Sequence, residues 1–407
     1  MNKDLKKNLF IIGNGFDIAH GIPSKYSDFQ KYIRSLYLNK ELIDKSYDGF
    51  SQWRYSVPRA NNILGHFEKN QLSDVLGFLD YCLSRSQNRD KPYNFYVNSD
   101  WWSIEEVLGN LDLKEFFSRD LDDPLEKNYN DKEWIMYDIA ECFKYLDGLA
   151  AMWADQIDLS EARPIESFSK LINNDRLLQI NNDVFLTFNY TPTLESIYGV
   201  EGVVHIHGKA GGSVMLGHEA NIDVRSFCMR NSIPDYCNHA AQVLFDVTCK
   251  DTVKNVHRLS KIIASKCIGI TDIYSYGFSF ADIDLPYINY LCNVMDTKST
   301  TWHLLDYDPI CRRKQYINTI KQCGFKGEFD TYHIKTRIKK QKKDNSYNNY
   351  IKSKKRHIGK SRYYLEQIIL RYQTVNYTPT KLDYLLFIPR VICCVWWILF
   401  DSKKGNN

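Results

Sequence analysis

Four short motifs in the 407-residue chain bring glycine, amide, imidazole and carboxylate groups to spacings that suit the handling of a phosphorylated ligand. Gly13-Asn14-Gly15-Phe16-Asp17 follows an apolar run. Glycines at such a bend let the backbone approach a phosphate, while the helix start behind them offers free N–H groups and a positive dipole end. The full dinucleotide fingerprint would place a third glycine at position 18, which is Ile18, so a purely geometric role also fits. Thr187-Phe188-Asn189-Tyr190-Thr191-Pro192 ends a second apolar run. An amide at the carboxyl end of a parallel strand faces the ligand crevice, although Asn189 also fits as the cap of the next helix. Val203-Val204-His205-Ile206-His207-Gly208 ends a third run, and strand alternation puts both histidines on one face. A histidine there suits general-base work, because its ordinary pKa lies near neutrality. With His218 of Leu216-Gly217-His218 the pair could also ligate a metal; the reading adopted is one functional histidine, His207, and no metal. Tyr276-Gly277-Phe278-Ser279-Phe280 ends a fourth run with a Gly-x-Ser turn. It is not a nucleophile elbow, since no glycine stands two residues after Ser279. Asp306, after a fifth run, suits a ribose hydroxyl or a simple turn.

The elements that must position these groups are legible as apolar runs. Leu9–Ile12, Val184–Phe188, Val203–Ile206, Asp272–Tyr276 and Trp302–Leu305 read as buried strands, each passing into a turn or a helical pattern. Strands alternating with helices imply βαβ units and a Rossmann-like parallel α/β sheet. Between about residues 26 and 178 apolar residues recur instead at three- and four-residue intervals. The windows Phe29–Tyr37, Ile63–Phe67, Val75–Leu83, Ile104–Leu111 and Trp134–Trp153 make this stretch a large helical insertion. Ser86–Asp100 lacks periodicity and reads as a loop. Composition shifts abruptly after residue 333, so residues 1–333 read as the nucleotide-binding domain and 334–407 as a basic linker with an apolar end.

A net charge of +4 conceals an asymmetry. Lys335–Arg362 holds 12 Lys and Arg against Asp344 alone, a local +11 that leaves the rest of the chain at −7. Such a tail could contact nucleic acid or an anionic membrane, or be a solvated linker. Tyr384–Phe400 is apolar apart from Arg390, but 17 residues interrupted by Pro389 reach only the lower limit of a membrane span. A buried or oligomer-forming segment is the first reading, with membrane association as its alternative. The 11 cysteines form no CxxC pair, which excludes a zinc ribbon or a regular disulfide framework. Only four apolar residues precede the first turn, too few for a signal peptide, so the expected setting is the reducing cytoplasm.

GNGFDIAHGIP, TFNYTPTLESIYG, HIHGKA, LGH and YGFSFADID, in this order, resemble the AbiH family of bacteriophage abortive-infection proteins over about residues 8 to 310. Within the insertion the resemblance is carried by Trp101-Trp102-Ser103-Ile104-Glu105. More distantly the set is similar to sirtuin-like (DHS-like) NAD-consuming enzymes. Gly13, Gly15 and Gly21-Ile22-Pro23 match their opening pattern, Asn189 their catalytic asparagine, His207 their His-Gly histidine, and Gly277 and Ser279 their later Gly-x-Ser. Asn14 and Asp17 replace a small residue and a serine, Ser24-Lys25-Tyr26 replaces Asp-Phe-Arg, and Thr191 stands where an aspartate follows. No paired-cysteine zinc module lies between His207 and Gly277, which argues against protein deacylation.

The resemblance implies an anti-phage effector that hydrolyses NAD to nicotinamide and ADP-ribose. Asn189 and His207 would be catalytic, and Gly13, Asn14, Gly15, Asp17, Gly277, Ser279 and Asp306 would hold the nucleotide. The expected partners are NAD or a related nucleotide as substrate, a phage-derived trigger and further copies of the chain. The alternatives are a nucleotide sensor without chemistry and a nucleic-acid-acting defence enzyme that uses the basic tail.

Overall fold

A computed structural model describes residues 7–39, 57–58, 69–88, 101, 103–117, 129–173, 183–219 and 223–335. The basic and apolar stretches beyond residue 335 lie outside the described residues, as do the window 63–67 and residues 89–100. Six strands form one parallel sheet: β1 (Lys7–Ile12), β2 (Val184–Thr187), β3 (Val204–His205), β4 (Ile270–Tyr276), β5 (Thr301–Leu305) and β6 (Glu328–Tyr332). Their order across the sheet is β3-β2-β1-β4-β5-β6. This is the doubly wound Rossmann order, and the sequence-based expectation of a parallel α/β core is met.

Alternation along β1 shows why the runs are apolar throughout. Leu9 and Ile11 point to one face and Phe10 and Ile12 to the other, and helices cover both. On the first face lie α12 (Thr252–Lys266), α13 (Leu285–Val294) and α14 (Ile310–Gln322), with Leu259, Ile263, Tyr287, Leu291 and Ile320 packed on the strands. On the second lie α1 (Asn14–Ala19), α8 (Glu166–Asn173) and α9 (Thr193–Tyr198), through Phe16, Phe168, Ile172 and Leu194. The sixth strand escaped the sequence reading for a physical reason. At the sheet edge Glu328-Phe329-Asp330-Thr331-Tyr332 is mostly exposed, so it carries no apolar run.

Between β1 and β2 every described element is helical. The insertion contains α2 (Tyr26–Tyr37), α3 (Lys69–Gln87), α4 (Ile104–Leu108), α5 (Lys114–Phe117), α6 (Tyr129–Phe143) and α7 (Leu146–Asp155), followed by α8. Ser86, expected in a loop, belongs to α3, where its hydroxyl donates to Cys82 O at 2.5 Å. The connection from β3 to β4 carries α10 (Val224–Arg230) and α11 (Asn238–Thr248) before α12. Among the described residues no helix is long and apolar enough to cross a membrane.

The loops after β1 and β4 are locked by three glycines. Gly13 N–H donates to Tyr276 O and Gly15 N–H to Gly277 O, both at 3.0 Å. A Cβ on Gly13 would lie 2.5 Å from Gly277 O, and one on Gly277 would lie 2.4 Å from Phe16 N. Gly277 is also left-handed, at φ +63°. Gly269 has a similar φ of +76° but nothing within 4 Å of its absent Cβ. Alanine at Gly269 should therefore destabilise by only the left-handed penalty of about 1–2 kcal/mol. Gly277→Ala adds a backbone clash and should destabilise by clearly more than that in denaturant unfolding; equal losses would show that the interlock is dispensable.

Candidate functional site

The order of the sheet reverses between β1 and β4, and in open α/β sheets ligands bind outside the carboxyl ends of the strands at that point. Gly13 and Gly277 sit there, but their close approach serves backbone against backbone. The N–H groups of Gly13 and Gly15, expected to face phosphate, are engaged by carbonyls of the β4 end. Asn14 is tied to the Gly21-Ile22-Pro23 loop: its Nδ2 donates to Ser24 O at 3.1 Å, and Ser24 Oγ donates to its Oδ1 at 2.5 Å.

Asp17 is wholly buried rather than facing the crevice. It accepts from Thr191 Oγ1 at 2.5 Å and Thr193 Oγ1 at 2.7 Å, and so fastens the β2–α9 turn to α1. Burial pushes its carboxyl up to about 6, against the lowering effect of Thr191, Thr193, Asn189 and His205. Asn189, buried beside it, does not cap α9, whose N-cap position is Pro192. Its Nδ2 donates to Gly13 O at 3.1 Å and its amide also hydrogen-bonds Asp17. The amide nitrogen thus has protein partners, and the remaining capacity of the side chain is its Oδ1 acceptor.

The two histidines part company. β3 pairing ends at His205, one residue earlier than the apolar run suggests, so strand alternation no longer governs His207. His205 bridges Asn189 O and Glu195 Oε1, each at 3.0 Å, and Lys209 Nζ donates to the same Glu195 oxygen at 2.6 Å. Burial would raise the Glu195 carboxyl, but these two partners bring it down to about 2. His205 is therefore the satisfied neighbour.

His207 is only 4% exposed and packs between Phe188 and Tyr287, with ring centroids 5.3 and 5.5 Å away. Its main chain is fixed by Met215 N–H, which donates to His207 O at 2.9 Å, and Asn255 Nδ2 holds Ile206 O at 2.7 Å. Its Nε2 lies 2.8 Å from Asp284 Oδ1, while Nδ1 is buried without a hydrogen-bond partner. Burial, with Lys250 nearby, lowers the His207 pKa and favours the neutral ring. Burial alone would raise Asp284, but His207 and Lys250 hold its carboxyl below the ordinary range. A carboxylate at Nε2 fixes the Nε2–H tautomer and leaves Nδ1 as a proton acceptor.

Further polar groups close on this pair. Lys250, only 2% exposed, donates to Glu105 Oε1 at 2.6 Å. Tyr26 also hydrogen-bonds Glu105, and Tyr190, which hydrogen-bonds Tyr26, donates to Met215 O at 2.9 Å. Glu105 and Tyr26 come from the insertion, so the site is built jointly by the sheet and the helices inserted into it. The sequence carried no signal for Lys250, whose partner is 145 residues away. Glu105 and Asp284 lie within motifs that resemble the family, but nothing local marks their roles.

Ser279 is exposed on the loop after β4, where Phe280 adopts a left-handed φ of 54°. That strain is sustained by packing of the Phe280 ring on Phe278 and Tyr316, each 4.8 Å away. Asp306 stands one strand further along and pairs with His333 Nδ1 at 2.9 Å, exposed. His218 packs edge-on against Phe245 and places Nδ1 2.6 Å from Glu219 O. Among the described residues no group of three His, Cys, Asp or Glu side chains is disposed to hold a metal.

The Asp17 environment has a measurable signature. A folded pKa of about 6 above an ordinary 3.8 means that the fold holds the proton more tightly than the unfolded chain. Stability contributed by Asp17 is then present below pH 4 and lost as pH rises through 6. Relative to Asp17→Asn, the wild type should lose up to about 3 kcal/mol of unfolding free energy between pH 4 and 7. Denaturant titrations at several pH values check this; a pH-independent difference would mean that Asp17 is not perturbed.

Residues 9–306, which include every element of the crevice, match the family described as Bacteriophage abortive infection AbiH. No curated protein and no solved structure matches the chain. With the greater part of its length covered by that match, the chain belongs to the AbiH family of bacteriophage abortive-infection proteins.

Proposed function

We propose that this abortive-infection protein hydrolyses the nicotinamide–ribose bond of NAD, releasing nicotinamide and ADP-ribose. The observation that supports the reading is the state of His207. It is a buried neutral imidazole just beyond the carboxyl end of β3, held at Nε2 by Asp284 and with Nδ1 unpartnered. A neutral ring with a fixed tautomer can accept a proton without first losing one.

In this mechanism the C1′–N1 bond breaks, its electron pair passes to the departing ring, and positive charge develops on the ribosyl carbon. A water adds to C1′ and gives its proton to His207 Nδ1. Asp284 stabilises the imidazolium so formed, and the proton then passes to solvent. Asn189 Oδ1 accepts from a ribose hydroxyl, its amide held in place by Gly13 O. With the Gly13 and Gly15 amides engaged, the phosphates lie along the rim that carries the exposed Ser279. Loss of NAD would arrest the infected cell, under control of a phage-derived trigger.

Purified protein incubated with NAD should release nicotinamide. His207→Ala should slow release about a hundredfold to ten-thousandfold. Asp284→Asn should slow it about a thousandfold or more, through loss of the correct tautomer. Both variants are checked for folding by circular dichroism. Binding of NAD without turnover in the active assembly would favour a sensor, and full activity in folded His207→Ala would remove that residue from the mechanism.

A further inference from the structure

The three helices on the first face of the sheet differ in charge from the rest of the folded body. Residues 252–270, 285–295 and 309–327, which hold α12, α13 and α14, contain nine Lys and Arg and no Asp or Glu. On the opposite face α1, α8 and α9 carry Asp17, Glu166 and Glu195 against Lys170 alone. Elsewhere on the surface Lys31, Lys144 and Lys170 each have a carboxylate within 3.3 Å. Among the described residues none of the nine cations of the helix layer forms an ion pair. Asp251 and Asp296, at its margin, accept backbone N–H groups of Lys254 and Lys298. Spacings of three and four residues put exposed Lys254, His257 and Lys261 on one stripe of α12, and exposed Lys314, Asn318 and Lys321 on one stripe of α14. Between them lies α13, whose exposed Asn289 and Asn293 are uncharged. Tyr290 on one side of α13 donates to Ser260 O of α12 at 3.0 Å, and on its other side a Cβ on Gly324 would lie 3.8 Å from Cys292 Cβ. The two stripes are therefore two helix spacings, about 20 Å, apart.

The same layer gathers exposed apolar side chains. Among the described residues ten large ones are exposed, and six of these belong to it: Val253, Ile262, Ile268, Val294, Tyr307 and Ile310. Val253 is 70% exposed, Ile268 74% and Ile310 66%. Such groups in water gain nothing from the cations beside them, so the pattern needs a partner that is both anionic and apolar. Nucleic acid supplies the charge but rewards aromatic stacking, and only Tyr307 could offer that. A bilayer with acidic headgroups supplies both, attracting the lysines at its surface and taking the aliphatic tips below it.

We infer that the outward side of α12, α13 and α14 is a docking surface for an anionic membrane. It belongs to the folded body and is separate from the basic and apolar stretches beyond residue 335. The inference does not depend on NAD hydrolysis. Because the ligand crevice lies at the carboxyl edge of the sheet and the layer covers a face, seating the layer on a bilayer leaves the crevice open.

Co-sedimentation of the full chain with mixed phosphatidylglycerol–phosphatidylcholine vesicles tests this, with pure phosphatidylcholine vesicles as the uncharged reference. Changing Lys254, Lys261 and Lys314 together to Gln should weaken binding to the mixed vesicles at least about tenfold. Changing Lys31, Lys144 and Lys170 to Gln removes the same charge away from the layer and should weaken binding less than about twofold. The stretches beyond residue 335 are identical in all variants, so their own affinity cancels in the comparison. Ile268→Ser should weaken binding severalfold, and this loss should persist at high salt, where the lysine effect fades. Vesicle binding that is absent in the wild type, unchanged in the layer variant or equally weakened in the control overturns the inference. An unaffected Ile268→Ser variant, beside loss of duplex RNA binding in the layer variant, also overturns it and assigns the surface to nucleic acid.

Discussion

The carboxyl edge of the sheet depends on one contact, the backbone of Gly277 against the backbone of Gly13 to Phe16. Three positions without a Cβ let the loops after β1 and β4 approach closely and share hydrogen bonds. The contact passes outward through identifiable atoms. Gly13 O fixes the Asn189 amide, Phe188 packs against Phe278 with ring centroids 4.4 Å apart, and His207 rests on Phe188. A shift of Gly277 would therefore reach His207 through packed groups.

Two buried carboxylates and two histidines take opposite roles in this frame. Asp17 is raised by burial and spends its acceptors on threonine hydroxyls, which makes it a fastener of the fold. Asp284 is held low by His207 and Lys250 and presents a charge to the imidazole. His205 is fully partnered, by Asn189 O and Glu195, whereas His207 keeps one nitrogen unsatisfied. An unpaired buried nitrogen is expensive to maintain. Its presence next to an orienting carboxylate motivates the proposed chemistry.

Much of this was legible in the sequence, because a strand covered on both faces must be apolar throughout. Leu9–Ile12, Val184–Phe188 and Trp302–Leu305 announced the sheet, and three- and four-residue periodicity announced the inserted helices. Motifs at strand ends pointed to Asn189, His207 and Gly277. The remainder was set by tertiary contacts that leave no local trace. The edge strand β6 has no apolar run, and the early end of β3 redirects His207. Gly13 and Gly15 face a second backbone rather than an expected phosphate. The Glu105–Lys250 pair joins the insertion to the segment between α11 and α12, and local spacing cannot encode such a partnership.

The proposed account turns on what occupies the crevice. A crystal structure of the Asp284→Asn protein with NAD bound addresses it most directly. The account predicts the nicotinamide ribose at the carboxyl ends of β1 and β4, with C1′ one water molecule away from His207 Nδ1. NAD seated elsewhere, or in the crevice with its ribose turned away from His207, would contradict it.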